Sequence, residues 1–476
     1  MAANFLHGVE TIVVEKGARP ITGVKTAVIG VIGTAPMTAE TTLNQPIIIR
    51  NPVDAAKYYG VSASGFTIPD ALDAIFDQGN GPICIVVNVC DPATHSTAIA
   101  AEVVAKAADG TFVLAHKGVT AVVITAPVGC VVDVDYTVDA ASGVISRVVT
   151  STKIIAETAS LTVGYSYTDP TTVLASDVIG QVDVDGNRSG LKSLVGTYNL
   201  FGFVAKMIIA PGYCTQEAVS TEMIAVAEQL RAMALIDAPI GTTVQEAIAG
   251  RGPLGTINFE TSSKRAILCF PHVKRYDLVT NTEVLEPLSQ RLAGVIAAKD
   301  ADKGYWWSPS NTEIKGITGS EIAISALIND STTEANALNE AGIVTLFNSF
   351  GTGIRAWGNR SASFPTNTSP ANFINVQRTA DMLHESIEYA MLQFIDMPIN
   401  QALIDSIRES VNGFIRTLIM RGALIDGKCI FDVAKNPVTE IAAGHLTFDL
   451  EFMPPTPCER ISFESFINIE LLKALK

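Results

Sequence analysis

Apolar residues along this chain come in short runs whose period changes from one segment to the next. "KTAVIGVIGTAP" (25–36), "QPIIIR" (45–50) and "PICIVVNVC" (82–90) are nearly continuous apolar runs bounded by Gly and Pro, the pattern of buried strands. Between them, "IPDALDAIFDQG" (68–79) carries helical spacing. From residue 191 the alternation resumes. "AKMIIAPG", "ALIDAP" and "RAILCFPHV" read as strands, "QEAVSTEMIAVAEQLRAM" and "PLSQRLAGVIAAKDAD" as helices, and "AGIVTLFNSFGTGIRAWGN" as further strand-like pieces. Strands alternating with helices predict an α/β layer.

Two regions break that rhythm. Between about 91 and 185 Val and Thr dominate, "DYTVDAASGVISRV" reads as a hairpin turning at Ala140–Gly143, and "TASLTVGYSYTDP" as a strand ending in a turn. This block predicts a β domain inserted into the α/β layer, although "STAIAAEVVAKAAD" (96–109) near its start also suits a helix. Beyond the linker-like "SFPTNTSPANF" comes a mainly helical stretch over 375–422, then "HLTFDLEF". There Leu446, Phe448, Leu450 and Phe452 alternate with Thr447, Asp449 and Glu451, which predicts a half-buried strand.

The two ends pose a problem of their own. Ile461, Phe463, Ser465, Ile467, Ile469 and Leu471 share one face of a predicted strand, held away from what precedes it by Pro454, Pro455 and Pro457. At the other end "VETIVVE", with Val9, Thr11, Ile12, Val13 and Val14, is a strand candidate isolated by the turn "EKGARP". A lone strand leaves its backbone donors and acceptors unpaired. Both are therefore expected to pair with a neighbouring subunit, the strand containing Leu446, Phe448, Leu450 and Phe452 serving as acceptor.

Composition narrows the classes. The chain is too long for one ordinary core, at 476 residues. Charged residues make up only 17% against 48% apolar, which suits a surface largely covered by other protein. A net charge of −15 with no basic stripe argues against nucleic acid or an anionic membrane as partner. No apolar run approaches the roughly 18 residues of a membrane span, and "MAANFLHGVETIVVEKG" lacks the layout of a signal peptide, so assembly in a cytoplasm is expected. The 7 cysteines contain no C-x-x-C pair and read as reduced thiols, with Cys458 the most accessible.

The search for chemistry yields no catalytic, cofactor or metal site. "GRGPLGT" (250–256) has glycines without the phosphate-loop lysine, and "GTG" (351–353) reads as a turn. "HESIE" puts Glu388 where a zinc motif needs its second histidine, leaving His384 and Glu388 as a solvated pair. There is no G-x-S-x-G. His272 in "FPHVKRYD" follows a strand end and is weighed as a base against a structural loop histidine. Tyr305, Trp306 and Trp307 read as core or interface aromatics.

Several stretches, in order, resemble the tail sheath proteins of contractile phage tails and related bacterial injection machines. "HGVETIVVEKGARPITGVKTAVIGVIGTAP" is similar to the family's opening, with His7 where proline is frequent. "WWSPSNTEIKGITG" resembles its "PSN..I.G", and "IRAWGNRS" its "..WG.RT", with Ser361 for threonine. The run from "NVQRTADMLHESIEYAMLQFIDMP" through "GHLTFDLEFMPPTPCERISF" matches best. The resemblance implies an α/β (α+β multidomain) protein with a subtilisin-like central domain lacking protease activity. It implies a helical homopolymer around an inner tail tube, bounded by baseplate and tail terminator proteins, whose contraction drives the tube through a cell envelope. The place implied is the virion tail, after assembly in the host bacterial cytoplasm. An oligomeric subtilisin-like hydrolase and a non-contractile filament or shell are the alternatives.

The expected organisation is an N-terminal arm (1–20), the first part of the α/β core (21–90), an outward-facing inserted β domain (91–185), the remaining α/β core (186–364), a C-terminal domain (365–458) and a C-terminal arm (459–476).

Overall fold

The computed structural model describes residues 21–38, 40–60, 65–79, 81–278, 280–349 and 351–475. The strand expected at Val9, Thr11, Ile12, Val13 and Val14 lies outside the described residues.

The first α/β segment comprises β1 (Val28–Gly33), β2 (Ile47–Ile49), α1 (Pro52–Tyr59), α2 (Ile68–Phe76) and β3 (Ile83–Asn88). Helix α1 has no apolar run to announce it; its ends define it instead. The Asn51 side chain accepts from the Asp54 backbone N–H at 2.8 Å, Pro52 opens the first turn, and Gly60 at φ 72° closes the last.

The inserted block contains β4 (Ser96–Ala105), β5 (Phe112–Val113), β6 (Val119–Ala126), β7 (Tyr136–Asp139), β8 (Val144–Arg147) and β9 (Ser160–Thr168). They form two three-stranded sheets, β4–β9–β6 and β5–β8–β7, around a separate core that includes Phe112, Tyr136, Ile145, Leu161 and Val163. The segment that also suited a helix is strand β4. It pairs with β9 from Ser96↔Thr168 to Ala105↔Ser160, a ladder that overrides the helix preference of its alanines. The return to the α/β layer comes before residue 185, because Val173 and Val178, the latter in α3 (Ala175–Ile179), already belong to that layer's core.

After α4 (Thr197–Phe201) come β10 (Met207–Ile209), α5 (Glu217–Leu230), β11 (Met233–Asp237), α6 (Val244–Ala249), β12 (Ala266–Cys269), β13 (Val273–Asp277), β14 (Thr282–Glu286) and α7 (Leu288–Asp302). Then follow β15 (Thr312–Glu313), β16 (Gly319–Ser320), α8 (Glu334–Glu340), β17 (Ile343–Ser349) and β18 (Gly353–Trp357). Nine strands make one sheet in the order β15–β18–β17–β12–β11–β10–β1–β3–β2. From β17 to β3 neighbouring strands are parallel; the edges β2, β18 and β15 run antiparallel. Because β1 is buried on both sides, its alternate residues feed two cores. Val28 and Ile32 join the α5 side, while Ile29 and Val31 join the side of α2 and α7. Helices α2 and α7 touch at Gly294, where an added Cβ would lie 2.7 Å from the Ile75 carbonyl oxygen.

The C-terminal portion holds α9 (Ile374–Met391), α10 (Gln401–Met420), β19 (Asp426–Ile430), α11 (Val438–Ala442) and β20 (Asp449–Met453). Strands β19 and β20 form a two-stranded antiparallel sheet against α10, over a core of Met382, Leu383, Phe414, Ile415, Leu418 and Cys429. No helix among the described residues is long and apolar enough to cross a membrane.

The strand expected over Ile461–Leu471 does not form within the single subunit. Residues 459–468 have no regular structure, and Ile469–Leu475 is a 3₁₀ turn. Among the described residues that segment pairs with no strand, and a strand without a ladder has no backbone bonds to hold it.

Candidate inter-subunit surface

The β19–β20 sheet pairs Asp426 with Met453 through to Ile430 with Asp449, and each strand has one hydrogen-bonded neighbour among the described residues. β20 therefore presents an outer edge with no strand against it, whereas on β19 the Asn412 side chain of α10 accepts from the Cys429 N–H at 2.8 Å and donates to its carbonyl at 3.0 Å. Leu450 and Phe452 lie in β20 and lean on the helical core, as does Phe448 just before it. Leu446 and Phe448 fall outside the ladder, which is shorter than the alternation predicted. The cause is Asn436, whose amide donates to the Thr447 carbonyl at 2.8 Å and accepts from the Thr447 N–H at 2.8 Å. One side chain occupies both backbone groups that a neighbouring strand would use.

The C-terminal arm leaves from this sheet. Every residue from Cys458 to Ala474 is exposed, with Phe463 at 91% and Ile467 at 98%; Ile461, Ile469 and Leu471 are exposed as well. Isolated apolar side chains on a surface are ordinary, but a run of this kind along an unpaired segment indicates a partner.

The described residues next to each arm meet α9. Near the N-terminal arm, the Val24 N–H donates to Ser386 Oγ at 3.2 Å and Arg378 donates to the Thr26 carbonyl at 3.3 Å. At the other end, Asn375 Nδ2 donates to the Pro455 carbonyl at 3.1 Å. The same helix is bound to the α/β layer by four ion pairs, at Arg378, Asp381, Glu385 and Glu388, a spacing that puts them on one helical face. Arg378 grips Asp300 of α7 through contacts of 2.8 and 2.5 Å, and Arg265 meets Asp381. Lys206 meets Glu385, and Arg231 grips Glu388 at 2.8 and 2.6 Å. The first three are buried, so each polar partner is needed to offset the other's desolvation. Burial holds the Lys206 amine below its usual range, opposed by the Glu385 carboxylate. His384, half-buried and edge-on to Phe452 at 5.4 Å, is lowered by burial and then by Arg231.

The remaining sequence candidates have structural explanations. His384 and Glu388 do not pair with each other; one meets Phe452 edge-on and the other binds Arg231. His272 is buried, with Nδ1 3.6 Å from Glu321. In "GRGPLGT", Arg251 donates to the carbonyls of Ala341, Phe259 and Phe364 at 2.8, 2.9 and 3.1 Å. That segment staples the α/β layer rather than cradling phosphate. Tyr305 and Trp306 pack on the C-terminal core, whereas Trp307 is half exposed. Cys458 is exposed, and Cys84, Cys90, Cys214, Cys269 and Cys429 are buried.

The ion-pair face of α9 was not foreseen. Its charges at 378, 381, 385 and 388 are visible as a pattern, but their partners come from four distant segments.

Residues 186–362 match the phage tail sheath protein central domain, and residues 366–468 match the phage tail sheath C-terminal domain. The chain is 52% identical to the tail sheath protein of Burkholderia phage BcepMu over 480 residues, covering 100% of this chain and 99% of that protein. It is 26% identical to the tail sheath protein of Escherichia phage P2 over 478 residues, covering 99% and 98%. Its fold is similar to the contracted PVC sheath of an extracellular contractile injection system, at TM-score 0.60 and 15% identity, covering 99% of this chain and 100% of that one. The chain belongs to the phage tail sheath family and is a structural subunit of a contractile tail sheath.

Proposed function

We propose that the subunit polymerises helically around an inner tail tube by lending strands to its neighbours, and that the lattice contracts to drive the tube through a cell envelope. The observation that carries this reading is a two-stranded sheet, open along β20 and held at the middle of β19 by the Asn412 side chain, beside an exposed apolar arm that has no ladder among the described residues. One edge takes the C-terminal arm of a neighbour, with Ile461, Phe463, Ile467, Ile469 and Leu471 alternating along it. The other takes an N-terminal arm through Val9, Thr11, Ile12, Val13 and Val14. Leu450 and Phe452, with Leu446 and Phe448 leading in, belong to the acceptor. Heterologous contacts of this kind do not close, and they generate a filament.

Contraction in this reading is a rigid-body rearrangement of subunits whose arms bend while the paired strands stay paired. The energy is stored at assembly, and the chain acts without catalytic turnover, cofactor, nucleic acid or membrane insertion. The polymer is part of the virion tail, assembled in the host bacterial cytoplasm and bounded by baseplate and terminator proteins. The β domain within 91–185 faces outward, away from the tube. The N- and C-terminal arms (1–20 and 459–476) lie beyond the α/β core (21–90 and 186–364) and the C-terminal domain (365–458).

The test is truncation. A chain ending at Pro457, or one lacking residues 1–16, is expected to stay a folded, soluble monomer by circular dichroism and to form no tubes by electron microscopy. Tubes of normal length from either truncation would overturn the reading.

A further inference from the structure

Between its last proline and its first free apolar residue, the C-terminal arm crosses an open groove of about 1780 Å³ lined by Trp306, Trp357 and Asn336. The crossing is tied at two points. Asn375 holds the Pro455 carbonyl, and four residues on Arg360 holds Glu459. The second contact is two-pronged: Arg360 Nε donates to Glu459 Oε1 at 2.9 Å, and Nη2 donates to Oε2. Arg360 is itself fixed before it meets the arm. Its guanidinium lies 4.0 Å from the Phe364 ring centre and 4.4 Å from that of Phe373. Its Nη1 also donates to Asn372 Oδ1 at 3.1 Å. Most exposed ion pairs add little, because two long side chains must be ordered to form them. Here the arginine is already ordered by two rings and an amide, so the cost falls mainly on Glu459.

We propose that Arg360 and Glu459 are positioning residues that set the direction in which the C-terminal arm leaves the subunit, raising the arm's effective concentration at a neighbour's open sheet edge. One anchor leaves the arm free to swing about it; two, separated by a proline, define a line. The proposal rests on the strand-exchange reading above. Residues beyond Glu459 are untouched by the latch, so its loss leaves the pairing surface intact and changes only how often the arm finds its partner.

The experiment measures the full-length subunit concentration needed for half-maximal tube formation, by sedimentation and electron microscopy. R360A and E459Q are each expected to raise it about five-fold, with circular dichroism and urea midpoint unchanged. E459Q leaves the Arg360 stack in place, so it tests the latch even where R360A disturbs packing. The charge swap R360E/E459R should recover only part of the loss, since a carboxylate at 360 cannot stack on Phe364 and Phe373. R360K should recover less, since an ammonium has no planar fork to offer a carboxylate. Normal polymerisation by E459Q would overturn the proposal. Tubes from the chain ending at Pro457 would remove the strand-exchange reading and the latch with it. Absence of such tubes alongside normal E459Q would remove the latch alone.

Discussion

Replacing Asp381 by Asn removes one charge from an enclosed junction between α9 and the α/β layer. The Arg265 and Asp381 side chains are 4% and 6% exposed, so neither is solvated if the other goes. Breaking such a pair costs about 3–5 kcal/mol, most of it the penalty of a buried, uncompensated charge. Two features moderate the figure here. Arg265 Nε keeps Glu228 at 2.9 Å, although that carboxylate is 58% exposed, and Gln377 can still donate to the new amide as it does to Asp381 at 2.9 Å. The expected loss is therefore about 3 kcal/mol, near the low end of that range. Urea unfolding followed by tryptophan fluorescence measures it, since Trp306 packs on the core that α9 shares. The double variant R265M/D381L provides the control. It removes both desolvation costs and should lie within about 1 kcal/mol of the unaltered protein. A D381N chain as stable as the parent, or a double variant as unstable as D381N, would refute the reasoning.

Two further outcomes follow from the same geometry. Burial and Arg231 hold the folded-state pKa of His384 below its ordinary value, so below about pH 6.5 the unfolded chain binds a proton that the folded chain resists. Stability should fall as pH drops from 7.5 to 5, and H384F should flatten that part of the profile; an unchanged slope in urea midpoints would show that His384 is not its source. Replacing residues 96–168 by a short Gly/Ser linker should still give tubes, because the Asp169 N–H meets the His95 carbonyl at 2.9 Å and the ends of the block lie together. Soluble, folded monomer from that deletion would show that the β domain carries lattice contacts.

The parallel centre of the sheet was legible because β1, β3, β11 and β12 are short apolar runs between breakers, a signal that burial on both faces demands. Helix α1 was missed for the opposite reason: Asn51, Pro52 and Gly60 encode it at its ends, where an apolar-period reading does not look. Strand β4 was ambiguous because alanine suits a helix until β9 supplies a ladder. At the candidate surface, the alternation in "HLTFDLEF" located β20 but overran it, since Asn436 lies 11 positions before the residue it captures. Arg360 stood in a recognisable stretch, "IRAWGNRS", yet its partner is 99 positions away. Long-range pairs leave no local mark.

The contact of both arm-flanking segments with α9 also decides where mechanical load travels. A helix of 18 residues is a rod about 27 Å long, braced along one face by four ion pairs. If the arms join successive subunits as proposed, a pull arriving through one arm passes along that rod to the other and bypasses the hydrogen bonds of the nine-stranded sheet. On that path the sheet is carried by the load-bearing helix, and its loops and inserted β domain stand outside the line of force.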